Sequence, residues 1–183
     1  MERSEPVTWG GTSPAVESIR DAVIEHTAAG ALRLVLQRLT LHREGRPAGT
    51  HEVIDAIVDV GGNLVVMPLA ETVRADPASS SALDAGFARL RADLEADLGT
   101  TVDSLEVITN ADGTRQVRFV LSVDVSPEEV TGRPPHPAVH DGRHHISHQA
   151  PALDDLRDRM AGPPPGLLQR LRDRLAGLRR TSR

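Results

Sequence analysis

Leu83, Phe87, Leu90, Leu94 and Leu98 recur every three or four positions. Arg89, Arg91, Asp93, Glu95 and Asp97 fill the places between them, and Gly99 follows. Such a one-sided apolar stripe predicts a long amphipathic helix that ends at the glycine. A shorter helix is predicted after Ser13-Pro14, a hydroxyl N-cap with a first-turn proline. Val16, Ile19, Val23 and His26 keep helical spacing there until Gly30.

Between the two helices the period changes to two. In "ALRLVLQRLTLH" Leu32, Leu34 and Leu36 alternate, then Leu39 and Leu41 resume out of phase, which predicts a strand with a bulge near Gln37 and Arg38. "VIDAIVDVGGNLVVMPL" predicts two strands joined at Gly61-Gly62-Asn63, residues that accept positive φ. After the long helix, "SLEVIT", the turn "NADG" and "TRQVRFVLSVD" predict a second hairpin. Consecutive strands on tight turns pair antiparallel. The expected fold is therefore α+β, an antiparallel sheet in the order α-βββ-α-ββ with helices on one face.

The chain divides by texture into a flexible N-terminus over residues 1–12, an α+β domain over 13–126, a Pro/His-rich linker over 127–151, and a basic amphipathic helical tail over 152–183. In the tail, Leu167, Leu168, Leu171, Leu175 and Leu178 share one face and arginines the other. It suits docking on protein, its own or a partner's, better than on a membrane, because so short a helix needs packing to persist.

Composition narrows the chemistry. All 21 basic residues are arginine and there is no cysteine. A P-loop, a Schiff-base lysine, a thiolate nucleophile and cysteine-ligated zinc are therefore excluded. No apolar run reaches membrane-spanning length and the N-terminus has no secretory pattern, so a cytoplasmic protein is expected. Residues 1–130 hold 21 Asp and Glu against 11 Arg, a net of −10, and residues 131–183 hold 5 Asp against 10 Arg, a net of +5. An acidic body opposes direct contact with nucleic acid and favours a basic protein partner. Homodimerisation is a further option.

No serine-hydrolase elbow, zincin motif or dinucleotide-binding glycine pattern occurs. The stretch "HPAVHDGRHHISH", residues 136–148, holds five of the eight histidines, with His140, His144 and His148 at i, i+4 and i+8. On a regular helix those three would align toward a metal. Asp141-Gly142, Pro137 and Pro151 argue instead for a solvated connector, with no cofactor expected. Asp55 and Asp59 alternate with Val53 and Ile57 on one strand face, a mixed acidic and apolar surface that suits protein binding better than catalysis. With Glu52 and Asp124 they make up the expected partner-binding set.

The segment "LDAGFARLRADLEADLGTTVDSLEVITNADGTRQVRFVLSVD" resembles the YezG-like immunity proteins of bacterial polymorphic toxin systems. The matching features are the helix rich in Leu and charge, the turn Asp112-Gly113, Phe119 and the acidic strand end at Asp124. The order of elements over residues 13–125 also fits. Val102 stands where the family has tryptophan, and Leu121 and Ser122 where it has aromatics. The resemblance implies a small non-enzymatic protein that binds and blocks a cognate toxin, often a nuclease. A similar order of elements occurs in secretion chaperones that dimerise and hold an effector segment.

Overall fold

The computed structural model describes residues 6–162. The helical tail expected over residues 167–180 lies outside them. The elements are β1 (Val7–Thr8), α1 (Ala15–Ile24), β2 (Ala31–Arg43), β3 (Arg46–Val60), β4 (Asn63–Pro68), α2 (Ala70–Ala75), α3 (Pro77–Leu98), β5 (Ser104–Asn110), β6 (Arg115–Val120), α4 (Pro127–Val130) and α5 (Gly142–Ala161). The strands form one antiparallel sheet in the order β1-β6-β5-β2-β3-β4. The protein is α+β, and the expected order is present with β1 and α2 added.

The first sheet face carries the main core. Leu34 and Leu36, Ile54, Ala56 and Val58, Leu105 and Val107, and Val117 and Phe119 face Ile19 and Val23 of α1 and Leu83, Phe87, Leu90 and Leu94 of α3. α1 and α3 meet at Gly86, where a Cβ would lie 2.7 Å from Ile19 Cγ1, so only glycine permits this approach. The predicted end of α3 holds, with Gly99 closing it at φ 69°, while the helix begins before the apolar stripe, at Pro77, where Asp76 accepts from Ala78 N.

Residues 6–12 are part of this layer, where a flexible end was expected. β1 pairs with β6, Trp9 is buried, and its Nε1 donates to Asp97 Oδ2 at 2.8 Å. A large ring with a satisfied N–H is anchored well.

The second face is covered as well. The expectation of helices on one face holds for α1, α2 and α3, while α5 lies across β2, β3 and β4 on the other side. This accounts for the phase change in β2. Its register runs unbroken through Gln37 and Arg38, and the irregularities fall at Ala31/Arg33 and Leu41/His42. Leu34 and Leu36 serve the first face, whereas Val35, Leu39 and Leu41 serve the second. A strand buried on both sides needs no bulge to place leucines out of phase.

The stretch expected to be a linker, residues 127–151, is helical over Pro127–Val130 and from Gly142 onward. Asp141 caps α5 by accepting from His144 N at 2.7 Å, so Asp141-Gly142 starts the helix. Gly142 lies where a Cβ would come 2.8 Å from Val66 Cγ1. Pro151 is accommodated by a kink at Gln149, whose φ of −127° and ψ of 24° are not helical. Beyond the kink, Leu153 and Leu156 are fully buried, and Leu153 packs with Val35 and Ile57.

Candidate functional site

Strand register lines up Gln37 on β2, Glu106 on β5 and Arg118 on β6 in one row across the second face. Arg33 stands on the same face, and α5 brings His140 and His145 down onto the row. His145 Nε2 donates to Glu106 Oε1 at 2.7 Å, and His140 Nδ1 donates to Oε2 at 3.3 Å. Arg118 Nη1 lies 3.4 Å from the same Oε2. Arg33 donates to His145 Nδ1 at 3.4 Å, to Asn110 Oδ1 at 2.8 Å, and to Gln149. A guanidinium only donates, so Nδ1 of His145 accepts and the ring is the Nε2–H tautomer.

Glu106 and His145 have 1% and 0% of their surface exposed, so this centre is closed to solvent. Burial pushes the Glu106 carboxyl up, but the hydrogen bonds donated by His140 and His145 outweigh it and bring it down to about 2. Burial lowers the Arg33 guanidinium, with Glu106 and Asp112 pulling the other way. Gln37 completes the network. Its Nε2 donates to Ser104 Oγ and to the Ala138 carbonyl at 2.8 Å, and its Oε1 accepts from His140 N at 2.9 Å. The cluster fastens the segment 138–149 to the sheet.

Beside this seam, a groove of about 740 Å³ opens between β4 and the start of α5. Val53, Leu64 and Val66 contribute its sheet side, and Val139 and Ile146 its other wall. Asp55, Asp141, Arg143, Glu52 and His51 supply its polar lining. Among the described residues β4 is hydrogen-bonded on one side only, to β3, and its sequence "NLVVMP" carries no charge. Val65 on it is 46% exposed.

The four acids expected to form one surface are dispersed. Asp55 is buried beneath α5 and accepts from Gly142 N at 2.8 Å; burial raises its carboxyl above the ordinary range, with the Gly142 N–H acting against that. Asp59 caps the β3–β4 turn by accepting from Gly62 N at 2.7 Å. Glu52 points to the opposite sheet face, where it holds Arg38 and Arg74 near Asp84. Asp124 is exposed in the segment after β6. Only Glu52 and Asp55 line the same groove.

His140, His144 and His148 do come together, as a stack. Ring centroids are 4.4 Å apart for His140 and His144, and 4.2 Å for His144 and His148, with the planes within 19° of parallel. Imidazole lone pairs lie in the ring plane, so parallel rings aim them sideways and not at a shared point. Among the described residues no group of three or more His, Asp or Glu is placed to hold a metal ion. Burial, then the neighbouring imidazoles, lower His144 to about 4.

Sequence reasoning missed Glu106, Gln37, Arg33, Arg118 and His145. A signal was present: Glu106 and Gln37 each interrupt an apolar strand at its centre, where an unpaired polar side chain is costly.

No protein-family model matches the chain, and no curated protein matches it. No helix among the described residues is long and apolar enough to cross a membrane.

Proposed function

We propose that this chain is a non-enzymatic, cytoplasmic protein-binding module that acts as an immunity protein, neutralising a cognate toxin by contact. The observation that carries the reading is the unblunted edge of the sheet. Natural edge strands are guarded by charge, proline or cover against pairing with other chains. β4 has no charged residue, its one proline stands only at its last position, and it exposes Val65 and borders an apolar groove. An extended segment would pair with its free backbone groups and place alternate side chains in the groove.

The partner segment is basic. Residues 1–130 carry a net charge of −10, and Asp141 stands at the groove beside β4. Toxins that act on nucleic acid present basic clefts, so complementary charge would speed their capture. The resemblance over residues 83–124 supports the same conclusion. A strand-shaped groove also suits the second reading, a chaperone that holds an extended effector segment. A partner segment unstructured before binding, held by a dimer of this chain, would favour that alternative.

Titration calorimetry with a cognate toxic domain tests the proposal. The expected result is a saturable complex at neutral pH, weakened at least tenfold by Val65→Arg, which sets a cation and added bulk at the edge. Absence of binding, or equal affinity for the variant, would remove the proposal's basis.

A further inference from the structure

The two halves of α5 are attached by different forces. After the kink, Leu153 and Leu156 are fully buried, Arg157 donates to the Gly62 carbonyl, and Arg159 pairs with Asp112 at 3.0 Å. Before it, a network of polar contacts holds residues 138–149: Gln37 to Ala138 and His140, Glu106 to His140 and His145, Asp55 to Gly142, and Arg33 to Gln149, with Val139 and Ile146 adding apolar contact to the sheet. Gln149 has left the helical region, and Pro151 has no N–H to donate. A break therefore separates a polar half from an apolar one.

Charged groups of both signs surround the polar half. Arg33 of β2, Asp55 and His51 of β3, Glu106 of β5 and Arg118 of β6 face it, and Asp141 and Arg143 belong to its own element. Glu129 lies near His136 just upstream. Glu106, Asp55, Asp141 and Glu129 stand on one side, and Arg33, Arg118 and Arg143 on the other. Within the His140–His144–His148 stack, a second proton sits one ring spacing from the first. At His145, a proton on Nδ1 would face the Arg33 guanidinium that now donates to it.

From this geometry we propose that residues 136–148 form an acid-opened lid: protonation of His144, the middle ring of the stack, lifts the first half of α5 away from the sheet, with Gln149 as the hinge. Val139, Asp141, Arg143 and Ile146 leave with it, so the groove beside β4 loses one wall. The linkage has the required sign. His144 is held at about 4, below the ordinary histidine value of about 6.5, so the open form takes the proton more readily. Closure is fully favoured above that ordinary value and loses ground as pH falls from it toward 4. The effect on toxin binding rests on the groove reading above, whereas the opening itself does not.

Hydrogen–deuterium exchange of the full chain without partner, at pH 7.5 and 5.0 with times scaled for intrinsic rates, tests the lid. Amides of residues 142–148 should lose at least tenfold in protection at pH 5.0, while α3 and residues 153–161 retain theirs. A His144→Gln/His148→Gln variant should stay closed at pH 5.0. Equal protection at both pH values, a loss shared with α3, or opening of the variant at the same pH as the native chain would each overturn the proposal. If the wild-type lid opens as described but no toxin binds at neutral pH, the lid stands and the groove reading fails.

Discussion

Glu106→Ala is expected to destabilise the protein by about 3–5 kcal/mol, the range for removing one partner of a buried charge cluster. The cost follows from what remains. Arg33 and Arg118 would lose the one carboxylate on their row, and His140 and His145 would keep N–H groups with no acceptor. Glu106→Gln retains the shape and one acceptor oxygen, so its loss should be smaller than that of alanine. Urea denaturation at pH 7 measures both. A loss below about 1 kcal/mol for alanine, the size expected of an exposed ion pair, would mean that the cluster does not hold the segment. The acid response has a defined sign. Glu106 titrates at about 2 when folded against an ordinary 4.5. Its contribution is therefore complete above the ordinary value and disappears as pH falls from there through 2.

Leu153→Ala should cost about 2–5 kcal/mol, the range for truncating a fully buried leucine. Leu153 is 0% exposed and packs on Val35 and Ile57 across the second sheet face. Its loss opens a cavity under the apolar half of α5 and loosens the part of the helix that polar contacts do not secure. The same denaturation experiment decides it. A change within about 0.5 kcal/mol, as for a surface site, would mean that residues 152–161 are an appendage and not a layer of the domain. The distinction matters because α5 supplies both the cover of the second face and, through its first turns, a wall of the groove.

How much of this was legible in the sequence depended on whether a segment announces itself locally. α3 did, because its stripe, its capping Asp76-Pro77 and its closing Gly99 agree with one another. The hairpins did, because Gly61, Gly62 and Gly113 sit at the positive φ their turns require. β2 misled because alternation assumes one wet face, whereas Val35, Gln37 and Leu39 are covered by a segment about a hundred residues away. The histidine stretch misled for a related reason. Its prolines and Asp141-Gly142 looked like punctuation, but Asp141 caps a helix and Pro151 sits just after a kink. His145 and Glu106 are separated by 39 residues and meet only through the sheet. Local periodicity carries no trace of such a pair. The acids chosen for exposure were chosen by strand alternation, which placed Asp55 and Asp59 on one face correctly and left unseen the helix that covers Asp55.

The groove beside β4 is the centre of the functional account, and its backbone offers the most direct observation. Among the described residues, β4 amides that point away from β3 have no partner strand in the sheet. Hydrogen–deuterium exchange of the chain bound to the proposed toxin partner at pH 7.5, compared with the free chain, should show added protection across residues 63–68 and at the groove wall around Ile146. Complex formation that leaves residues 63–68 exchanging as they do in the free chain, with protection confined to other surfaces, would contradict the account.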